Sequence, residues 1–263
     1  MELTLYQIDA FASRAFEGNP AAICPLDQWL TDEMMQSIAL ENNLSETAFF
    51  VETNSDKGST YHIRWFTPLH EVDLCGHATL ASAYVIFNIL GCTQESITFH
   101  SKSGVLSVTK NGDWLEMDFP SQPPQECETP AALSSAFNIQ PVRCLKSEDY
   151  ILVFETEEEV LAATPNQSKL SELDLRGVAI TAKSDSYDFV ARFFAPKYGI
   201  DEDPVTGSAF TQLIPYWSER LGKTGLTAKQ ISKRGGEVMC RLAGSRVKIS
   251  GKAAKYMVAT IEI

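Results

Sequence analysis

An internal repeat is the feature that most constrains the fold of this chain. The segment CGHATLASAYVIFNILG (75–91) aligns without a gap with TGSAFTQLIPYWSERLG (206–222), 131 residues further along. Glycines match near both ends of the alignment, and the same register carries SKSG (101–104) onto SKRG (232–235). A repeated order of strand, turn, glycine, helix, glycine and strand predicts two similar domains in one chain.

Each repeat is predicted to contain one central helix. The apolar segments 77–90 and 207–221 are both followed by a glycine, the residue that most often closes a helix in the left-handed conformation. The first segment is apolar on all sides, so we expect its helix to be buried by the surrounding sheet. Pro215 lies inside the second segment and is expected to kink or break that helix.

Short runs of β-branched and aromatic residues predict the strands of both domains. The predicted fold class is therefore α+β, with two pseudo-symmetric domains, each a curved mixed sheet wrapped around its central helix. A further helix is predicted over 32–41. The predicted strands cover 3–11, 47–52, 61–66, 103–110, 114–119, 150–154, 177–183, 188–195, 236–243 and 245–253.

The Pro-rich segment FPSQPPQECETP (119–130) is the natural boundary between the halves. We therefore predict an N-terminal domain over 1–118 and a C-terminal domain over 119–254. The last strand, about 255–263, is a candidate to cross back into the first domain.

Composition and charge argue against several classes of protein. The formal net charge of −12 and the pI near 4.8 argue against binding to nucleic acid or to an anionic membrane surface. The sequence has no apolar run long enough to span a membrane and no signal-peptide pattern, which favours a soluble cytoplasmic protein. The six cysteines form no CxxC motif, and no two of the four histidines are spaced i, i+4. Both patterns favour a reduced compartment and argue against a metal site.

The start of each predicted helix offers a site for an anion. Backbone N–H groups are unpaired in the first turn of a helix, and the helix dipole favours negative charge there. Gly76 and Gly207 are equivalent in the repeat, and Thr206 and Ser208 flank the second glycine. If a pseudo-twofold axis relates the halves, both glycines would face one cleft. We then expect Gly76, Thr206 and Gly207 to bind the carboxylate of a small ligand.

Three acids precede the second helix. Asp201, Glu202 and Asp203 come directly before Pro204. An acid in this place is either a cap for the helix or a proton carrier for a bound ligand, and spacing alone leaves both open. Asp203 is the candidate for the site because it lies nearest to the helix. Asp201 and Glu202 are expected to face solvent.

Two residues of the first half are candidate proton carriers. His77 follows Gly76 at a helix start, where the positive helix end is expected to lower its pKa, and the pKa of the Cys75 thiol is expected to fall for the same reason. Glu46 lies between a predicted helix and a strand, close to Phe49, where burial would suit a general acid or base. The ordinary alternatives, a packed histidine and a solvent-facing turn glutamate, stay open.

Four motifs in the same order resemble the phenazine-biosynthesis PhzF-like isomerase family, which belongs to the wider diaminopimelate epimerase-like fold. They are IDAFASRAFEGNPAAI, NLSETAFF, FTPLHEVDLCGHATLA and DEDPVTGSA. The resemblance covers essentially the whole chain. It implies two pseudo-symmetric domains, a homodimer, and catalysis without a cofactor or metal.

The resemblance also implies roles for individual residues. Glu46, in the SET motif, corresponds to the family's acid/base. The histidine, aspartate and serine of the family's site fall on His77, Asp203 and Ser208. Further positions that line the ligand site fall on Ser45, Gly76 and Gly207.

The predicted function is proton transfer on a small carboxylate-bearing, cyclic or aromatic-like metabolite, with Glu46 removing and returning the proton. The first alternative is a racemase or epimerase in which a second acid or Cys75 works opposite Glu46. Epimerases of the wider fold use two cysteines, and Thr206 stands here at the position equivalent to Cys75. The second alternative is a non-catalytic protein that binds a small molecule. A thiol-based hydrolase is a distant third.

Overall fold

The chain forms two compact units in a computed structural model that describes residues 1–53 and 59–263. The first unit comprises Met1–Asp118 together with Ser250–Ile263, and the second comprises Phe119–Ile249. Because the two ends of the chain belong to the same unit, the first unit is assembled from segments that are far apart in sequence.

Strands make up most of the first unit, and its described residues contain two α-helices. The strands are β1 (Glu2–Ala10), β2 (Asn19–Leu26), β3 (Glu46–Glu52), β4 (Thr60–Phe66), β5 (Glu71–Val72), β6 (Ser96–Ser101), β7 (Gly104–Asn111), β8 (Trp114–Pro120) and, at the end of the chain, β18 (Ala253–Glu262). The helices are α1 (Asp32–Asn42) and α2 (Gly76–Tyr84), and a π-helical turn, Val85–Ile89, extends α2.

The sheet of the first unit mixes parallel and antiparallel pairs. Its strand order is β18-β1-β2-β3-β4-β6-β7-β8, and β5 also pairs with β4. The pairs β2/β3 and β4/β6 are parallel, and the other pairs are antiparallel. Parallel neighbours need a crossover connection, and α1 and α2 lie in these two connections.

Helix α2 is buried over most of its length. Residues 77–83 are all buried, and the helix contacts β1, β2 and β3. The helix contains no Asp, Glu, Lys or Arg, so its burial desolvates no permanent charge. Its buried hydroxyls are satisfied locally. Thr79 Oγ1 donates to the carbonyl of Cys75 at 2.6 Å. Ser82 Oγ donates to the carbonyl of Ala78 at 2.8 Å.

The second unit contains more short elements than the first. Its strands are β9 (Gln125–Glu126), β10 (Arg143–Lys146), β11 (Tyr150–Val153), β12 (Val178–Lys183), β13 (Phe189–Ala195), β14 (Ile200–Asp203), β15 (Gly225–Gln230), β16 (Gly236–Ala243) and β17 (Arg246–Gly251). Its α-helices are α3 (Ala131–Ser134), α4 (Glu157–Ala162), α5 (Gln167–Ser171) and α6 (Phe210–Leu221), with 3-10 turns at Pro196–Tyr198 and Gly207–Ala209.

Both units pair their strands in the same order. In the second unit the order is β9-β10-β11-β12-β13-β15-β16, with β11/β12 and β13/β15 parallel. From β10 to β16 the pairs alternate antiparallel, parallel, antiparallel, parallel and antiparallel, as they do from β1 to β7 in the first unit. The predicted α+β class with two pseudo-symmetric halves is confirmed.

Pro215 does not break α6, which runs from Phe210 to Leu221. Proline has no N–H, so the carbonyl of Thr211 one turn earlier loses its helical partner. The backbone N–H of Gln122 donates to that carbonyl at 3.0 Å. The hydroxyl of Thr211 in turn donates to Gln122 Oε1 at 2.6 Å. A residue outside the helix thus replaces the hydrogen bond that the proline removes.

Candidate active site

Glu46 is the first residue of β3 and is held at the end of a tight connection. Helix α1 closes at Asn43, which adopts the left-handed conformation with φ 49° and ψ 36°. Asn42 Nδ2 donates to Thr47 Oγ1 at 3.0 Å and ties the end of the helix to the new strand. Only 13% of the Glu46 side chain is exposed. The carboxylate is therefore largely shielded from water, at the point where the turn after α1 enters β3.

His77 lies in the first turn of α2 and meets Glu46. The side chain of His77 is 8% exposed, and its Nε2 lies 3.0 Å from Glu46 Oε2. The contact lacks the alignment of a hydrogen bond, and neither atom has a hydrogen-bond partner among the described residues. Buried polar atoms usually have hydrogen-bond partners. These two atoms have only each other at 3.0 Å, so both remain available to a ligand that enters beside them.

The other ring nitrogen of His77 faces two donors. Nδ1 lies 3.4 Å from Asn19 Nδ2 and 3.5 Å from Cys75 Sγ. An amide nitrogen can only donate, so Nδ1 accepts when the ring is neutral, and the neutral ring then carries its proton on Nε2. That proton lies on the side of Glu46, where it can serve the carboxylate or a ligand beside it.

The pKa of His77 lies well above its usual range. Burial acts to lower it, but the neighbouring Cys75 and the carboxylate of Glu46 together raise it by more. The pKa of the Cys75 thiol is also raised, chiefly by burial and then by the charge of Glu46. The expectation that the helix start lowers both pKa values is wrong, because desolvation of the thiol and the nearby carboxylate outweigh the helix dipole.

Glu46, Cys75 and His77 also form a set of potential metal ligands. One ligand atom from each lies within 4.8 Å of the others. The imidazole, however, presents Nε2 to the carboxylate and Nδ1 to the thiol. An ion can bind only one nitrogen of a ring, so a single ion would satisfy one of these two contacts and not both. The arrangement suits a chain of proton carriers better than a three-ligand metal site.

Asn19 is a site residue that the sequence reasoning missed. It is fully buried at the start of β2, directly after Gly18. Gly18 has φ +64°, and a Cβ there would lie 2.0 Å from the carbonyl oxygen of Ala10. The carboxylate of Asp9 accepts from the N–H of Phe16 at 2.9 Å and holds the same loop. The sequence Gly-Asn-Pro, between the first strand and the second, was the feature that could have pointed to Asn19.

A second cluster lies in the second unit. Asp203 is buried, and its Oδ2 accepts a hydrogen bond of 2.6 Å from Thr206 Oγ1. Gln230 fixes both residues: its Oε1 accepts from the N–H of Thr206 at 2.9 Å, and its Nε2 donates to the carbonyl of Asp203 at 2.7 Å. Gln230 is 1% exposed and was also missed, because nothing in the KQISK sequence distinguishes it.

The other predicted binding positions lie at the starts of the two central helices or next to Glu46. Gly76 begins α2, whereas Gly207 begins a 3-10 turn that precedes α6. Gly207 is buried, and Ser208 and Ser45 are half-buried. The structure brings Glu46 and His77 together in the first unit, and Ser45 precedes Glu46 in the chain. That the residues of the second unit serve the same ligand stays a prediction.

One of the two outer acids is not where the sequence suggested. Asp201 is exposed, as expected. Glu202 instead accepts two hydrogen bonds from Arg192, at 2.7 and 3.0 Å, and its side chain is 25% exposed. Arg192 also donates to the carbonyls of Val160 and Ala163 at the end of α4. Glu202 therefore belongs to a structural ion pair.

Comparison with known proteins agrees with this fold. An uncharacterized isomerase of Pseudomonas aeruginosa is 52% identical over 263 residues, which are 100% of both chains. The solved structure of a PhzF-family phenazine biosynthesis protein from Enterococcus faecalis gives a TM-score of 0.96 at 45% identity, and each chain is covered completely. A hydroxyproline epimerase from Agrobacterium vitis gives a TM-score of 0.63 at 10% identity, covering 99% of this chain and 92% of its own, and shares the fold alone.

Fold, site and relatives together define an isomerase with an epimerase-like fold. Residues 8–259 match the family model of the phenazine biosynthesis-like proteins, PhzC-PhzF. The chain belongs to this family. Among the described residues, no helix combines the length and the apolar character needed to cross a membrane.

Proposed function

We propose that the chain catalyses a cofactor-independent isomerisation in which Glu46 moves a proton within a small carboxylate-bearing, cyclic or aromatic-like metabolite. One observation carries the proposal: Glu46 Oε2 and His77 Nε2 are both buried, lie 3.0 Å apart, and have no hydrogen-bond partner among the described residues. Two proton carriers held in this way can remove a proton and return it at another carbon of the same ligand.

In the proposed mechanism the substrate's carboxylate binds at the start of α2, where the N–H of Gly76 and the helix dipole favour an anion. Glu46 takes a proton from an acidic carbon, and the negative charge that develops spreads toward the carboxylate. His77 donates from Nε2 to an oxygen of the substrate and so stabilises that charge. Glu46 then returns the proton at a second carbon. Asp203 and Ser208 receive the orienting roles that the family resemblance implies.

The position of Cys75 favours one base over two. Its Sγ lies at Nδ1 of His77, whereas Glu46 lies at Nε2 of the same ring. The thiol is buried and its raised pKa favours the protonated form, which can donate to Nδ1 when the imidazole is neutral. We therefore assign Cys75 to the positioning of His77, and the reaction to isomerisation through Glu46.

The test is proton NMR in D₂O with a panel of small cyclic and aromatic amino and hydroxy acids. A one-base isomerisation predicts a shifted double bond in the product, with part of the substrate's own hydrogen retained at the new carbon. Inversion at one carbon with complete incorporation of solvent deuterium would instead identify an epimerase. Binding shifts without exchange for any member of the panel would favour a non-catalytic binding protein.

We also propose a cytoplasmic homodimer as the working form, on the basis of the family resemblance. Light scattering is expected to give about twice the chain mass of 29.1 kDa. The net charge of −12 makes nucleic acid and anionic membranes poor partners, and a small carboxylate is the proposed ligand. A monomer mass at micromolar concentration would contradict the dimer without affecting the proposed chemistry.

A further inference from the structure

Two cysteines of the second unit face each other across a pair of strands. Cys127 directly follows β9, and Cys144 lies in β10. Their Sγ atoms are 3.5 Å apart. The strands pair antiparallel with Glu126 opposite Leu145, which puts the two cysteines at the next position of the same ladder. The N–H of Cys127 donates to the carbonyl of Cys144 at 3.0 Å.

This geometry is close to that of a disulfide. Opposite residues of an antiparallel pair have Cα atoms about 4.5 to 5.5 Å apart. That range lies inside the about 4.4 to 6.8 Å found for disulfide-bonded cysteines. The expected distance between the two Cα atoms therefore already suits a disulfide, and rotation of the two side chains would bring the sulfur atoms from 3.5 Å to bonding distance.

The thiols are also accessible to a small reagent. Cys127 is half-buried and Cys144 is 6% exposed, and both line a cavity of about 890 Å³. Three basic side chains, Arg143, Lys183 and Arg220, and two acidic ones, Glu126 and Glu155, line the same cavity. Arg143 pairs with Glu126, which leaves Lys183 and Arg220 to attract a small disulfide that carries carboxylates.

We propose that Cys127 and Cys144 form a reversible disulfide by exchange with a small anionic disulfide such as glutathione disulfide. Cys127, the more exposed of the two, loses its proton to solvent and attacks one sulfur of glutathione disulfide. That S–S bond breaks, and one glutathione leaves as a thiolate that takes up a proton.

The second step closes the bond. Cys144 loses its proton, attacks Cys127 Sγ and displaces the second glutathione, which is also protonated. The two protein thiols are oxidised to one disulfide, and glutathione disulfide is reduced to two molecules of glutathione. Burial raises the pKa of Cys144 to about 12, with a contribution from Cys127, so little of it is thiolate and it is the poorer candidate for the first attack. The second attack is intramolecular, where the short distance between the sulfur atoms compensates.

The Cys127–Cys144 disulfide would link β9 covalently to β10, at an edge of the sheet where few hydrogen bonds hold the strand. Strand β9 spans only Gln125–Glu126 and pairs with β10 at two positions. A covalent link between residues 17 apart in sequence removes freedom from the unfolded chain and stabilises this edge. We expect the melting temperature to rise on oxidation and to return on reduction.

The test uses the full chain in glutathione redox buffers, followed by thiol counting in denaturant and tryptic mass mapping. The reduced protein has six thiols, and we expect four after oxidation. Trypsin separates the two cysteines, because Arg143 lies between them, so the disulfide joins peptide 111–143 to peptide 144–146. Dithiothreitol is expected to restore all six thiols.

Three variants sharpen the result. Cys144→Ser is expected to stop at a glutathione adduct on Cys127, and Cys127→Ser to leave Cys144 unmodified. Cys92→Ser, at another half-buried cysteine, is the matched control and should form the disulfide as the wild type does. Six thiols that persist in the wild type, or a disulfide that joins any other pair, would overturn the proposal. Neither outcome depends on the proposed isomerase activity.

Discussion

At the scale of single residues, the loop that positions Asn19 at the candidate site requires glycine at position 18. It lies between Ala10, whose carbonyl it approaches, and Asn19, which contacts His77. A side chain at Gly18 must both adopt φ +64° and displace that carbonyl, since the added Cβ would lie 2.0 Å from the oxygen. The loop can therefore be built only with glycine at this place.

We predict that Gly18→Ala destabilises the protein by at least about 2 kcal/mol, from strain together with the clash. Gly112 is the matched control: its φ is +60°, but an added Cβ meets nothing within 4 Å. Gly112→Ala should cost only the strain, about 1 kcal/mol. Urea unfolding of both variants measures the difference, and equal losses would show that the contact with Ala10 does not matter.

Cys75 provides a second prediction at this scale. If its thiol only orients His77, Cys75→Ala removes one hydrogen bond and should lower the turnover rate by about five- to tenfold. The position and the amount of deuterium in the product should not change. A complete loss of deuterium exchange at one of the two carbons would make Cys75 a second base and would contradict the one-base mechanism.

Individual residues also show where sequence reasoning stops. Glu46, His77 and Asp203 were predicted from their motifs, because each stands beside a helix or strand terminus. Asn19 and Gln230 were missed because their importance depends on contacts between residues far apart in sequence. Asn19 contacts His77, 58 residues away. Gln230 contacts Thr206 and Asp203, 24 and 27 residues away. The pKa of His77 was misjudged for the same reason, since the Glu46 charge that raises it comes from another element.

At the scale of elements, the repeat predicted the two central helices better than it predicted their ends. α2 changes to a π-helical turn at Val85, where the N–H of Leu90 donates back to the carbonyl of Val85. Strand β15, GLTAKQ, was missed because Gly, Lys and Gln are weak strand formers. It forms nonetheless, because parallel pairing with β13 supplies its hydrogen bonds. Helices α3 to α5 are too short to show a helical period.

An ion-pair cluster links neighbouring strands of the first unit and gives an element-scale prediction. Glu71 in β5 accepts from Nε and Nη2 of Arg64 in β4, at 2.8 and 2.9 Å, and also binds Lys102. Hydrogen bonds from Arg64, aided by Lys102 and opposed by burial, lower the pKa of Glu71 from 4.5 to about 2. The folded state therefore holds this carboxylate ionised at a lower pH than the unfolded chain does.

The pKa of Glu71 is lower in the folded protein than in the unfolded chain. The ion pairs of Glu71 therefore stabilise the folded state fully above the pKa of the unfolded chain, and this stabilisation is lost as the pH falls through the pKa of the folded state. We predict that Glu71→Gln costs about 2 kcal/mol at pH 7. The difference from wild type should shrink between pH 4.5 and about 2. Chemical unfolding over this range, with the exposed Glu52→Gln as control, measures it. A cost that does not change with pH would show that Glu71 acts by packing alone.

At the scale of the whole molecule, the repeat preserves the backbone but not the chemistry. The two units share their order of strand pairings, yet Cys75 and His77 of the first are replaced by Thr206 and Ser208 at the equivalent positions of the second. A symmetric pair of bases is therefore absent from these positions of the repeat. The candidate proton carriers Glu46 and His77 both lie in the first unit, which agrees with the proposed mechanism in which one glutamate removes and returns the proton.

The most direct test of this account compares the rate of deuterium exchange in D₂O for the wild type, Glu46→Gln and Glu52→Gln, with the substrate that the panel identifies. Both glutamates lie on β3, and only Glu46 contacts His77. We predict that Glu46→Gln lowers the rate by about 10²- to 10⁴-fold while still binding the ligand, since one positioned base contributes that much. Glu52→Gln should match the wild type. Exchange that survives in Glu46→Gln at the wild-type rate would contradict the account and place the base elsewhere.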